Sequence, residues 1–232
     1  MALNWTIHSD AEAMALALAD ALDVALTTRL SAPGRAALAL AGGRTAPPVC
    51  RALAARSLPW SRVTVLPTDE RWVAEAHADS NLRVLRECFV GAPAELRALV
   101  PEAPGATPSA EVANAVLTDV PRFAAVLLGM GADGHFASLF PGDPGLHAAL
   151  SLDPPPPEPA VVVIPDPMPA AGPHPRISLT LARLLDTDRL LLAITGADKR
   201  AVIEQALSAP TSLPVGALLT QTICPVEIHW SP

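Results

Sequence analysis

Aromatic side chains make up only 3% of the 232 residues, and tyrosine is missing altogether. Proteins that grip single-stranded nucleic acid stack its bases on such rings. A formal charge of −7 also leaves no basic field for a phosphate backbone or an anionic membrane. Nucleic acid and membrane are therefore excluded as main partners, and any phosphate the protein takes must be held by a few local cations. Cysteine is equally scarce: Cys50, Cys88 and Cys224 are odd in number, scattered, and without C-x-x-C spacing. Such a pattern implies neither a disulfide framework nor a cysteine zinc site, and it suits a reducing cytoplasm. Long uncharged apolar runs are lacking too. Glu12, Asp20 and Asp23 interrupt Ala11 to Leu26 and no basic segment precedes it, so the expectation is a protein neither exported nor membrane-spanning.

What the chain does have is 50% hydrophobic residues against 17% charged ones, which excludes general disorder. Its length suits a single α/β domain with a core of Leu, Val and Ala. Ser9-Asp10-Ala11-Glu12 has capping-box spacing, and Met14, Leu18, Leu22 and Ala25 recur at helical intervals, predicting a helix to about Arg29. Ala36–Leu40 reads as a strand, followed by the Gly-rich loop Gly42-Gly43-Arg44-Thr45 and a helix with Pro47 in its first turn. Val63–Leu66 is the next strand. Ser80 caps a helix carrying Leu82, Leu85 and Phe89, residues 93–108 read as loop with at most one helical turn, and a short helix spans Glu111 to Thr118. Strands are expected at 125–128, 161–164, 190–195 and 226–230, with helices through Leu184 and from Gly196 to Leu207. The proline tract at 154–157 reads as a stiff surface connection rather than a boundary. No internal repeat is found. Alternating strands and helices predict a mostly parallel sheet covered by helices on both faces.

The chain is organised around Ala125–His135, a buried-strand pattern running into Gly129, Gly131, Asp133, Gly134 and His135. Glycines at the carboxyl end of a parallel strand let the backbone turn and approach a bound group. Gly129, Gly131 and Gly134 satisfy G-x-G-x-x-G, but Pro141, Gly142, Pro144 and Gly145 deny the helix that a dinucleotide site needs. Asp153 falls near the expected acidic position but opens a proline tract. A plain tight turn with a solvent-facing His remains as the bland alternative. The same choice arises elsewhere. Gly42-Gly43-Arg44-Thr45 is a phosphate cradle or an ordinary left-handed turn, Thr68-Asp69-Glu70-Arg71-Trp72 a substrate-facing cluster or a solvated turn, and Lys199 a phosphate ligand or a solvated helix residue.

Gly129–Gly142 closely resembles the signature of the 6-phosphogluconolactonases. Ala41-Gly42-Gly43-Arg44-Thr45, Thr68–Val73 with Ser80-Asn81 behind it, and Ile194-Thr195-Gly196-Ala197-Asp198-Lys199 resemble the same family in the same order. The resemblance spans nearly the whole chain. It implies the isomerase-like α/β fold shared with glucosamine-6-phosphate deaminases. It also implies hydrolysis of 6-phospho-D-glucono-1,5-lactone in the oxidative pentose phosphate pathway, with no cofactor and no catalytic metal. The partner is then a small sugar-phosphate lactone, and the protein a monomer or small homo-oligomer.

The residues suit that chemistry. Lactone hydrolysis needs a base for water, donors for the developing oxyanion and an anchor for phosphate. His135 is the expected base, with Asp133 orienting it or holding a sugar hydroxyl. Ser138 lacks a G-x-S-x-G elbow, which favours direct attack by water. The Arg71 fork suits sugar hydroxyls, phosphate or developing charge alike. Gly42, Gly43, Arg44, Thr45, Asp69, Gly131, Arg176 and Lys199 complete the expected substrate-binding set. Three departures stand out: Ala41 and Arg44 replace the family's two loop serines, Ala46 separates Thr45 from Pro47, and Ala124 replaces an Asp before the central strand. A deaminase-like isomerase and a noncatalytic sugar-phosphate-binding regulator are the rival readings. Deaminases carry a carboxylate beside the His, whereas this chain has Leu139-Phe140-Pro141; a regulator needs no base at all.

Overall fold

Short apolar runs with no polar face become strands buried on both sides, and this chain builds its central sheet from them. The computed structural model describes residues 4–169 and 172–232. In chain order the elements are β1 (Asn4–Ile7), α1 (Ala11–Leu30), β2 (Ala36–Leu40), α2 (Ala46–Ala54), β3 (Val63–Pro67), β4 (Asp69–Arg71), α3 (Asn81–Cys88), β5 (Glu95–Leu96), α4 (Glu111–Thr118), β6 (Ala125–Gly129), α5 (Leu146–Leu150), β7 (Ala160–Val163), β8 (Arg176–Leu179), α6 (Leu181–Leu185), β9 (Leu190–Thr195), α7 (Ala197–Ser208), α8 (Pro214–Thr220) and β10 (Val226–Ser231).

Seven strands form one sheet in the order β1-β10-β9-β6-β2-β3-β5, every neighbouring pair parallel. Side chains alternate across a strand, so each strand feeds two cores. Leu38, Leu40, Leu127 and Leu191 pack with α1, α2 and α3 on one face. Ala39, Val126, Leu128 and Leu192 pack with α4, α6, α7 and α8 on the other. The expectation of a mostly parallel sheet covered on both faces is met.

Several local expectations are corrected. The N-cap of α1 is Asp10, which accepts from Ala13 N at 2.8 Å, one residue beyond the Ser9 that capping-box spacing points to. Ser9 Oγ instead donates to the Asp10 carboxylate. Residues 93–108 contain a two-residue edge strand, β5, and no helical turn. Ile164 lies outside β7. A second, antiparallel sheet, β4-β8-β7, stands apart from the first. Its β4 is the cluster Asp69-Glu70-Arg71, left open above between a substrate-facing cluster and a solvated turn, and Asp69 and Glu70 are buried there. Burial is tolerated because the Glu70 carboxylate accepts from the backbone N–H of Arg71, Asn81 and Leu82 and from Ser80 Oγ, at 2.7–3.1 Å. Burial still pushes the Glu70 pKa up, with these backbone donors opposing it.

Next to the edge strand β1, His229 of β10 is 6% exposed, and its Nδ1 lies 3.0 Å from Nε2 of His8 in a stacked pair. Burial first, then the neighbouring His8 charge and Arg189, lower its pKa from 6.5 to about 4, against the pull of Glu227. The unfolded chain therefore binds the proton more readily. The stability that neutral His229 contributes is complete above 6.5 and is lost as the pH falls towards about 4. Thermal midpoints measured across that window should fall more steeply for the wild type than for His229→Gln; parallel curves would refute this.

Candidate active site

Parallel strands deliver their carboxyl ends to one edge of a sheet, and β9, β6, β2 and β3 are successive neighbours. The loops that follow them converge on one cleft of about 170 Å³. Gly42, Gly43, Arg44, Thr45, Asp69, Arg71, Gly131, His135, Arg176 and Lys199 all line it. Asp133 does not. It sits behind His135, with Oδ1 2.5 Å from His135 Nδ1 and accepting from the His135 N–H at 3.2 Å.

The turn that carries this pair is fixed by its glycines. Gly131 N–H donates to His135 O at 2.9 Å, and Gly134 N–H to Gly131 O at 3.1 Å. Gly134 has φ +77°, a left-handed conformation that costs glycine nothing. A Cβ on Gly131 would run into the His135 ring and the Asp133 carboxylate, so only glycine lets the pair close. Burial raises the Asp133 pKa, but the hydrogen bond and charge of His135 outweigh it and leave a net lowering. An ionised Asp133 can only accept, which places the imidazole proton on Nδ1 and leaves the Nε2 lone pair available. Phe140 packs on the ring with centroids 4.2 Å apart.

Two groups of cations line the cleft with His135. Arg71 and Arg176 are register partners across β4 and β8. Arg71 Nη1 donates to Asp79 O at 3.1 Å and to Asn81 Oδ1, while its buried Nε has no hydrogen-bond partner among the described residues. Arg176 is 4% exposed, and its Nη2 donates to Gly172 O at 2.8 Å. Burial, then the Arg71 charge, pushes the Arg176 pKa down against the pull of Asp69. In the second group, burial and the charge of Arg44 lower the pKa of Lys199. Like charges gathered in this way in an acidic protein define a place for an anion.

Asp69 is held rather than free. Its Oδ2 accepts from Ser138 Oγ at 2.5 Å, and Ser138 is completely buried. Asn81 is the cleft residue that sequence reasoning cited only as part of a motif. Its Nδ2 donates to Asp69 O at 2.7 Å, its Oδ1 takes the Arg71 bond, and a Cβ on Gly42 would strike its amide. One side chain thus ties β4 to the start of α3 and lies against the loop at Gly42. Its position directly after the Ser80 cap of α3 was the available signal.

An α/β sheet with a His–carboxylate pair and two groups of cations at its strand ends defines a protein with a site for a small anionic ligand. The model of the glucosamine-6-phosphate isomerase/6-phosphogluconolactonase family matches residues 9–230, and the chain belongs to that family. It is 37% identical to a 6-phosphogluconolactonase of Pseudomonas putida, covering 97% of this chain and 93% of that one. It is 39% identical to one of Caulobacter vibrioides, over 93% and 91% of the two chains. A crystal structure of a 6-phosphogluconolactonase from Shewanella baltica superposes with a TM-score of 0.91 at 31% identity, covering 100% and 98%. A monomeric glucosamine-6-phosphate deaminase shares the fold, with a TM-score of 0.73 at 18% identity over 99% and 97%.

Proposed function

We propose that the protein hydrolyses 6-phospho-D-glucono-1,5-lactone to 6-phospho-D-gluconate in the oxidative pentose phosphate pathway, as the names of its relatives imply. The observation that carries the reading is the His135–Asp133 dyad facing a cation-lined cleft. His135 Nε2 takes a proton from water as the water oxygen bonds to the lactone carbonyl carbon. The carbonyl oxygen gains negative charge, which the Arg71–Arg176 side of the cleft is placed to receive. The ring C–O bond then breaks, and the imidazolium returns its proton to the departing oxygen. Asp133 holds the ring and stabilises the imidazolium. The phosphate sits by Arg44 and Lys199, near the loop 42–45 and the start of α7. The buried Ser138 hydroxyl already donates to Asp69, which supports attack by water over an acyl-enzyme. The reaction as written uses no cofactor.

Among the described residues, no helix is long and apolar enough to cross a membrane. We place the reaction in the cytoplasm, with the protein a monomer or small homo-oligomer and no nucleic-acid partner.

The rival is deamination of glucosamine 6-phosphate, which needs several proton transfers and, in the deaminase motif, a second carboxylate in the segment just after the His. Here Phe140 packs on His135 and has no proton to give. Purified protein is expected to accelerate phosphogluconolactone opening above the spontaneous rate and to release no ammonia from glucosamine 6-phosphate. Ammonia without accelerated lactone opening would establish the deaminase instead, and binding of sugar phosphate with neither activity would point to a regulator.

A further inference from the structure

Beside the cleft, outside the residues assigned to hydrolysis, three side chains from two distant segments converge. His77 and Asp79 lie between β4 and α3, and His174 lies two residues ahead of β8. One ligand-capable atom from each falls within 4.8 Å of the others. His174 Nε2 is 2.9 Å from Asp79 Oδ2, and His77 Nδ1 is 3.9 Å from the same oxygen. The two imidazoles meet edge to face, their centroids 5.1 Å apart.

These distances lie near those of a transition-metal coordination sphere. Tetrahedral zinc, with bonds of about 2.0–2.2 Å, separates its ligand atoms by about 3.3–3.5 Å. The two measured separations bracket that span, so shifts of a few tenths of an ångström would bring both atoms onto one ion. Hydrogen-bonded to Asp79 Oδ2, His174 Nε2 carries a proton, which an incoming ion would displace as it takes the lone pair. Asp79 N–H donates to His77 Nδ1 at 3.1 Å, which leaves that nitrogen unprotonated; an ion would take its lone pair in place of this exposed bond. The two segments are already fastened next to the cluster, where Trp72 N–H donates to Pro175 O at 2.8 Å and β4 pairs with β8. Ordering the ligands therefore costs little chain entropy. All three side chains are partly exposed, which gives an ion a direct path.

We propose that His77, Asp79 and His174 form a binding site for a borderline divalent transition-metal ion of the Zn²⁺ class. Two imidazoles and one carboxylate favour such ions over Mg²⁺ or Ca²⁺, which take oxygen ligands. The ion takes no part in hydrolysis. It joins the loop whose Asp79 carbonyl accepts from Arg71 to the segment that leads into Arg176, so occupancy stiffens both cleft arginines.

Calorimetric titration of the full chain with Zn²⁺ tests the site. One ion is expected to bind, and Asp79→Asn and His174→Ala are expected to weaken binding by at least the roughly 10–100-fold typical of disturbing a metal's ligand shell. His135→Ala and Cys88→Ser should leave the Zn²⁺ affinity unchanged, which separates this cluster from the hydrolytic dyad and from the thiols. Co²⁺ in place of Zn²⁺ should give visible ligand-field bands without thiolate charge transfer. These partly exposed positions can be changed without opening the core, so a lost titration would report on the ligands. Binding weaker than about 1 mM in the wild type, or equal affinity in wild type, Asp79→Asn and His174→Ala, would overturn the site.

Discussion

His135→Ala is expected to lower kcat by about 10²–10⁴, the contribution typical of a positioned general base, while KM stays within a few-fold and the fold survives. The size follows from what the side chain does. Its Nδ1 is committed to Asp133 at 2.5 Å, and Nε2 is the nitrogen left for water. Without the imidazole, water must attack the lactone unassisted, but the cations that hold the substrate are untouched. Stability should change little because the side chain is 28% exposed and its ring supports no hydrogen bond other than the one to Asp133 among those described. Steady-state kinetics with subtraction of spontaneous lactone opening, alongside a thermal melt, decide the matter. A folded His135→Ala protein with near-normal kcat would remove His135 from the mechanism and with it the hydrolytic reading of the dyad.

The dyad was legible in the sequence because its geometry is local. Gly131, Asp133, Gly134 and His135 lie within one turn, and each is needed by a residue at most four positions away. The strands β6 and β9 were legible for a similar reason: a run buried on both faces needs no partner to be recognised. What escaped depends on distant chain. On its charges alone Asp69-Glu70-Arg71 reads as a solvated turn, and only the family resemblance brings Asp69 and Arg71 into the expected site. Only the fold brings Ser80, Asn81 and Leu82 onto the Glu70 carboxylate and sets Arg176 beside Arg71. The elements β1, α5 and α8 were missed, although β7 and α6, no longer than β1 and α5, were found. Three of the four β1 residues are exposed, so its pattern carried no hydrophobic signal. Asn81 escaped as a site residue because its partners in β4 lie ten or more residues away, and its place after the Ser80 cap signals only a helix start. The Ala41 and Arg44 departures acquire a physical meaning: the lost loop hydroxyls are accompanied by a cation close enough to Lys199 to lower its pKa.

That cation pair carries the second large expectation. Lys199→Ala should raise KM by roughly 10–150-fold, corresponding to the about 1.5–3 kcal/mol lost with one charge-assisted hydrogen bond, and leave kcat largely intact. In the free protein, burial and the charge of Arg44 both disfavour the ammonium, which is why the Lys199 pKa is lowered. A phosphate dianion placed between the two reverses the second of these terms, so bound substrate should draw the lysine back towards its ordinary protonation. Arg44→Ala should weaken binding in the same sense. Because the two residues share one ligand, the double variant should lose less than the sum of the single losses. Inorganic phosphate provides an independent readout: it should inhibit the wild type competitively and raise its melting temperature, and both effects should shrink in Lys199→Ala. The substitution should not destabilise the free protein, since it removes a partly buried charge from beside another of the same sign. If KM, phosphate inhibition and the phosphate-dependent melting shift all persist in Lys199→Ala, the phosphate is held elsewhere, and the facing Arg71–Arg176 pair becomes its anchor instead of the receiver of carbonyl charge.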